Sequence, residues 1–161
     1  MDKEMQEVMN RFLQFLFNGN AVMDNICYNL KYKGYARLEA AIHEPMAHQM
    51  GVWADTASDL MDELQARPVR YSLPDNIEEL DATECFEKLV AYFEELHTIV
   101  MKAISVAEEI GEIEAKLYFE DFIENKLTRY RRQAIEWRDA IKAIGADSLN
   151  VHIADYTSYL S

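Results

Sequence analysis

Apolar residues recur at intervals of three and four along nearly the whole chain, and four long stripes emerge from that spacing. The first runs through Met9, Phe12, Leu13, Leu16, Met23, Ile26, Cys27 and Leu30, and predicts a helix over 3–33 that ends before Gly34. The Asn18-Gly19-Asn20 triplet interrupts it as a turn signal. Pro45 interrupts the second predicted helix, 36–66, by removing a backbone donor, and Arg67-Pro68 ends that helix. Breaks at both points are one reading, with a short helix stopping at Phe17 and the second helix becoming regular only near Glu44. The third stripe, Phe86, Leu89, Val90, Phe93, Leu96, Val100, Ile104 and Ala107, predicts a helix over 82–110, opened by Asp81 with Glu84 and closed by Gly111. The fourth, Ile113, Leu117, Ile123, Leu127, Tyr130, Ala134, Trp137, Ile141 and Ile144, predicts a helix over 112–144. These two helices are each roughly 45 Å long, so unbroken partners over 3–33 and 36–66 are what one bundle layer needs. The expected architecture is all-α: an antiparallel four-helix bundle forming one domain over 1–161. A long connection near 67–80 joins helices two and three, and a short helical tail over 145–161 rests on Leu149, Ile153, Tyr156 and Leu160.

The second helix has two contrasting faces. Met46, Met50, Trp53, Ala57, Leu60 and Leu64 form the apolar one. His48, Val52, Asp55, Asp59 and Asp62 form another row. Asp55 lies two residues from Trp53, about 200° round the helix, so this row faces away from the core. Two acids one turn apart, with a histidine two turns before them, suit a divalent metal shared with a partner surface. A plain solvated acidic face is the competing reading. On the third helix Glu94 and His97 have Glu-x-x-His spacing, and on the fourth Glu120 falls between Leu117 and Ile123 on the predicted stripe, with Glu124 one turn later. Together they outline an alternative metal site inside the bundle. A surface pair for Glu94 and His97, and an internal salt bridge for Glu120, compete with it.

Composition narrows the partners. The formal charge of −13 argues against nucleic acid and favours cations or basic surfaces. Lys126, Arg129, Arg131, Arg132 and Arg138 are spread round a helix, which suits ion pairing with neighbouring helices better than phosphate binding. Cys27 and Cys85 sit within apolar patterns and read as free buried thiols of a reducing compartment. The start MDKEMQEVM lacks a signal-peptide layout and no apolar run is long enough for a bilayer, so a soluble cytoplasmic protein is the expectation.

Three segments resemble one family in order and spacing. Ala54–Val69, ADTASDLMDELQARPV, is similar to the second helix of the Dps miniferritins, the starvation-induced iron-storage proteins of the ferritin-like superfamily, with Asp55, Asp59 and Arg67-Pro68 matching the pattern. Ala107–Gly111 followed by Asp121–Glu124 resembles that family's third-to-fourth helix corner, and Asn29–Gly34 the end of its first helix. The resemblance covers most of 11–144. It implies a ferritin-like fold, a homo-oligomer in the form of a dodecameric cage, and an inter-subunit site that binds Fe²⁺, oxidises it to Fe³⁺ and stores it. Asp55 and Asp59 carry over as ligands, Asp59 standing for the usual Glu. Asn29 and Ala41 occupy the two histidine positions, which leaves His43 and His48 as the nearby nitrogen donors. A bundle without ferroxidase activity, serving as a structural or protein-binding module, is the alternative. Basic tails that bind DNA are missing: 143–161 has no Lys or Arg. Plain duplex is therefore expected to show no gel shift at about 150 mM salt, where phosphate neutralisation dominates affinity.

Overall fold

The chain adopts the four-helix arrangement in a computed structural model that describes residues 1–160. The first bundle helix is unbroken over Lys3–Tyr32, capped by the Asp2 carboxylate on the amides of Glu4 and Met5. Gly34 then turns the chain with φ +89°. The second helix occupies 36–63, α-helical over Ala36–Ile42 and His48–Glu63 and π-helical over His43–Ala47 between them. The third spans Ala82–Ile110 behind a full capping box of Asp81 and Glu84. The fourth occupies 113–144, with a second π-helical turn over Ile123–Leu127. A short helix, Ala146–His152, and a 3₁₀ turn, Ile153–Tyr156, complete the tail.

The Asn18-Gly19-Asn20 triplet is not a turn. Asn20 donates to Ala47 O on the second helix at 2.8 Å, tying the pair together. Gly19 is where the third helix comes closest: a Cβ there would lie 2.0 Å from the Tyr92 hydroxyl oxygen. That hydroxyl donates to Phe15 O at 2.8 Å, and the Phe15 and Tyr92 rings stack at 4.6 Å.

The second helix stops earlier than Arg67-Pro68. Gln65 takes the left-handed conformation with φ 59°, and Ala66 N reaches back to Met61 O at 2.8 Å, closing the helix before the proline. The connection is therefore longer than 67–80, and it is strapped along the first helix. Arg67 N is held by Gln6, Val69 N and Arg67 O by Asn10, and Tyr71 N by Gln14. At the far end Asn25 and Asn29 donate to Glu78 O, Asn29 accepts from Leu80 N, and Lys33 donates to Leu80 O. Ascending residue numbers on the strap meet ascending numbers on the helix, so the strap returns the chain to the end where the second helix begins. Every adjacent pair of bundle helices then runs antiparallel.

The fourth stripe is right only in its second half. Leu127, Ala134, Trp137 and Ile141 are buried, but Ile113 is 68% exposed and Leu117 59%. The π turn at Ile123–Leu127 inserts a residue and rotates everything before it, so Ala115, Phe119 and Phe122 face inward instead. Glu120 is consequently an exposed residue beside Lys116, at 3.8 Å, and not a member of the buried stripe.

Gly19→Ala is expected to lower stability by about 2–3 kcal/mol in urea unfolding, because Tyr92 must move and its buried hydroxyl loses its acceptor. Tyr92→Phe, which loses the hydrogen bond alone, should cost about 1 kcal/mol.

Candidate metal centre

Pro45 is the origin of the site. Without an amide hydrogen it cannot serve the Ala41 carbonyl four residues back, and the helix widens into a π turn closed by His48 N donating to His43 O. Residues five apart in an ordinary α-helix lie about 140° apart; across a turn closed from i to i+5 they come nearly above one another. The His43 and His48 rings meet edge to face with centroids 4.5 Å apart. One ligand atom from each of His43, Glu44 and His48 lies within 4.8 Å of the others, a spacing that fits a single metal ion.

Carboxylates orient both rings. Glu39 sits 3.2 Å from His43 Nδ1, and Glu44 sits 3.2 Å from His48 Nδ1. A carboxylate at each Nδ1 leaves Nε2 as the nitrogen suited to an outside ligand, the usual division of labour in a metal-binding imidazole. Asp24 approaches from the first helix. Burial pushes its carboxyl pKa up, and the nearby His43 and His48 pull it back down. Two imidazoles with carboxylates on either side suit Fe²⁺ and similar divalent transition ions.

Asp55 and Asp59 are exposed on the same helix and form no salt bridge among the described residues. They stand roughly 10 and 16 Å along the axis from His48, too far to share its ion within one chain. Asn29 is no ligand: its side chain is fully engaged with Asn25, Glu78 and Leu80 of the strap. Glu39, Glu44 and Asp24 escaped sequence reasoning. The signal for Glu44 was present, since His-Glu-Pro with a further histidine at i+5 places ligands round a proline-forced π turn.

The bundle interior offers no rival. Among the described residues its only buried polar side chains are Asn10, which holds the strap, and Gln133, which holds the tail through Tyr156 O and Tyr159 N. Where a di-metal bundle projects glutamates and histidines inward, this one places Met50, Trp53, Phe12, Phe119 and Phe122. Trp53 packs on Phe122 at 4.9 Å and on Tyr130 at 4.8 Å, while Phe12 packs on Phe119 at 5.0 Å. Glu94 is engaged by Arg131 through two bonds of 3.0 and 2.7 Å. His97 has its pKa lowered, first by burial and then by Arg131. Glu120 and Glu124 face solvent, so the alternative set of Glu94, His97, Glu120 and Glu124 does not converge within the core.

No known family model matches the sequence, and no curated protein matches it. Solved structures do match in fold. An open-pore ferritin from the hyperthermophilic archaeon Archaeoglobus fulgidus superimposes with a TM-score of 0.88 at 12% identity, covering 98% of this chain and 96% of that one. A humanized archaeal ferritin gives 0.86 at 12% identity over 100% and 97%. A PmFTN variant soaked in iron gives 0.86 at 9% identity over 93% and 98%. The fold is the ferritin-like four-helix bundle. Among the described residues no helix is long and apolar enough to cross a membrane.

Both thiols are free and buried, and burial pushes the pKa of each up to about 12, so both stay protonated at neutral pH. Native protein at pH 8 should therefore leave Cys27 and Cys85 unlabelled by iodoacetamide over hours, with both labelled once urea unfolds the chain. Rapid native labelling would contradict this packing.

Proposed function

We propose that this protein binds Fe²⁺ on the outer face of its second helix, oxidises it to Fe³⁺ and stores it within a homo-oligomeric cage, in the manner of the miniferritins. The observation that carries the reading is the convergence of His43, Glu44 and His48 at the π turn. Imidazole nitrogen and carboxylate oxygen hold Fe²⁺, surplus carboxylates favour the more highly charged Fe³⁺, and dioxygen accepts the electrons. Detoxification of iron follows, and a cytoplasmic setting suits the two free thiols.

A second copy completes the site. In a two-fold contact between antiparallel copies of the second helix, facing residue numbers have a constant sum. His48 opposite Asp55 of a second copy centres the axis between Gly51 and Val52, and His43 then lies one residue from the position that faces its Asp59. Gly51 has open space around its Cβ position, and Val52 is 54% exposed. The centre of this contact is thus a backbone that a neighbour can approach closely, flanked on each side by one histidine–aspartate pairing. Exposed Tyr28 and Tyr32, one turn apart on the first helix, add apolar surface for assembly.

The test is aerobic addition of Fe²⁺ to apo protein, following ferric absorbance. His43→Ala/His48→Ala and Asp55→Ala/Asp59→Ala are each expected to slow oxidation by about tenfold or more, while Glu94→Ala leaves it unchanged. Gly51→Glu, which meets nothing within its own chain, should keep the fold, dissociate the assembly in sedimentation and abolish the dependence on Asp55 and Asp59. Oxidation no faster than buffer would support the second reading, a non-enzymatic structural or protein-binding module. The apolar, carboxylate-free interior favours that reading.

A further inference from the structure

The strap between helices two and three is fastened at both ends and free in the middle. Between Tyr71, held at its amide by Gln14, and Glu78, held at its carbonyl by Asn25 and Asn29, it makes no hydrogen bond to a helix among the described residues. Here it arches over the groove between the first and third helices. Two connected hollows of 430 and 290 Å³ lie beneath it, sharing Phe15, Asn18, Pro74 and Glu95. None of the metal-centre residues lines either hollow.

The chemistry of this cleft is specific. Its lining includes Phe15, whose ring is held parallel to Tyr92 with an interplanar angle of 4°, an aromatic surface suited to a flat guest. The Asn18 side-chain oxygen has no hydrogen-bond partner and is closed to solvent, and a turn of this lining side chain would offer it to a donor on a guest. Glu95, common to both hollows, has no ion-pair partner among the described residues. Glu7 lies on the same wall, one turn from Arg11, so carboxylates outnumber guanidinium in the main hollow, and the one cation lining the second, Lys88, is already paired with Glu78. The chain's charge of −13 reinforces that sign.

We propose that this cleft is a small-molecule site for a flat aromatic amine in its protonated form, with the ring under Pro74 against Phe15 and the ammonium shared by Asn18 and Glu95. Volumes of this size are those of ordinary ligand pockets, roughly 300–1,000 Å³. Calorimetric titration of the full-length protein with tryptamine should show saturable binding of one molecule per chain. Indole-3-acetate, the same ring with the opposite charge, should give none. Glu95→Gln and Asn18→Leu should each weaken tryptamine binding roughly tenfold or more, with unchanged far-UV circular dichroism. No saturable tryptamine binding, equal binding of indole-3-acetate, or full affinity in both variants would overturn the proposal. Aerobic iron oxidation measured in the same two variants should match the parent, which separates failure of this site from failure of the metal centre.

Discussion

A bundle helix of about thirty residues is roughly 45 Å long, and a chain that leaves the second helix at one end must begin the third at the other. Residues 66–81 have no regular secondary structure, and sixteen extended residues span at most about 53–58 Å, so the strap crosses the full length with little slack. A nearly taut segment cannot fold back to satisfy its own amides. The first helix supplies partners instead, through Gln6, Asn10, Gln14, Asn25, Asn29 and Lys33. This one constraint sets much else. It makes every neighbouring pair of helices antiparallel, assigns the asparagines of the first helix to structural duty, and leaves the arch whose hollow opens onto Phe15.

Much of this was legible in the sequence where local rules and packing agree. The third helix matched the expected 82–110 because capping box, apolar stripe and terminal glycine all point to the same limits. The fourth did not yield to the same treatment. Periodicity assumes a constant angle per residue, and the π turn at Ile123–Leu127 breaks that assumption, so a stripe correct at Trp137 becomes wrong by Leu117. Glu120 looked buried for this reason alone. Gly19 was misread in the opposite way: its local signal is a turn, while its real cause, the Tyr92 side chain, comes from a residue far away in sequence. The candidate ligand group was half visible. His43 and His48 stood out as nitrogen donors, but only the widened turn shows that they converge and bring Glu44 with them.

The aromatic interior explains why metal chemistry would move outward. Glutamate buried among Trp53, Phe119 and Phe122 would face a desolvation cost of several kcal/mol per ion without partners. Filling the middle of the bundle with aromatic rings favours tight packing and forgoes charge there. On the outer face carboxylates stay solvated and cost little to keep ionised, and a chain carrying −13 draws cations towards them.

An outer-face site has its own difficulty, since exposed ligands must be ordered before they can chelate. His48 and Glu44 have side chains 52% and 76% exposed, and freezing such groups costs about 0.5–1.5 kcal/mol each. The π turn reduces that cost by fixing both histidines on the backbone, and Glu39, only 16% exposed, anchors His43 from the buried side. Asp24, on a different helix, lies near enough to feel the charge of both imidazoles, so tertiary packing as well as one turn of chain shapes the surroundings of this group. A proline in the interior of a helix would be a defect in a bundle that only had to pack. Here the same missing amide hydrogen brings His43, Glu44 and His48 together, and under the proposed function that is a reason for the helix to tolerate it.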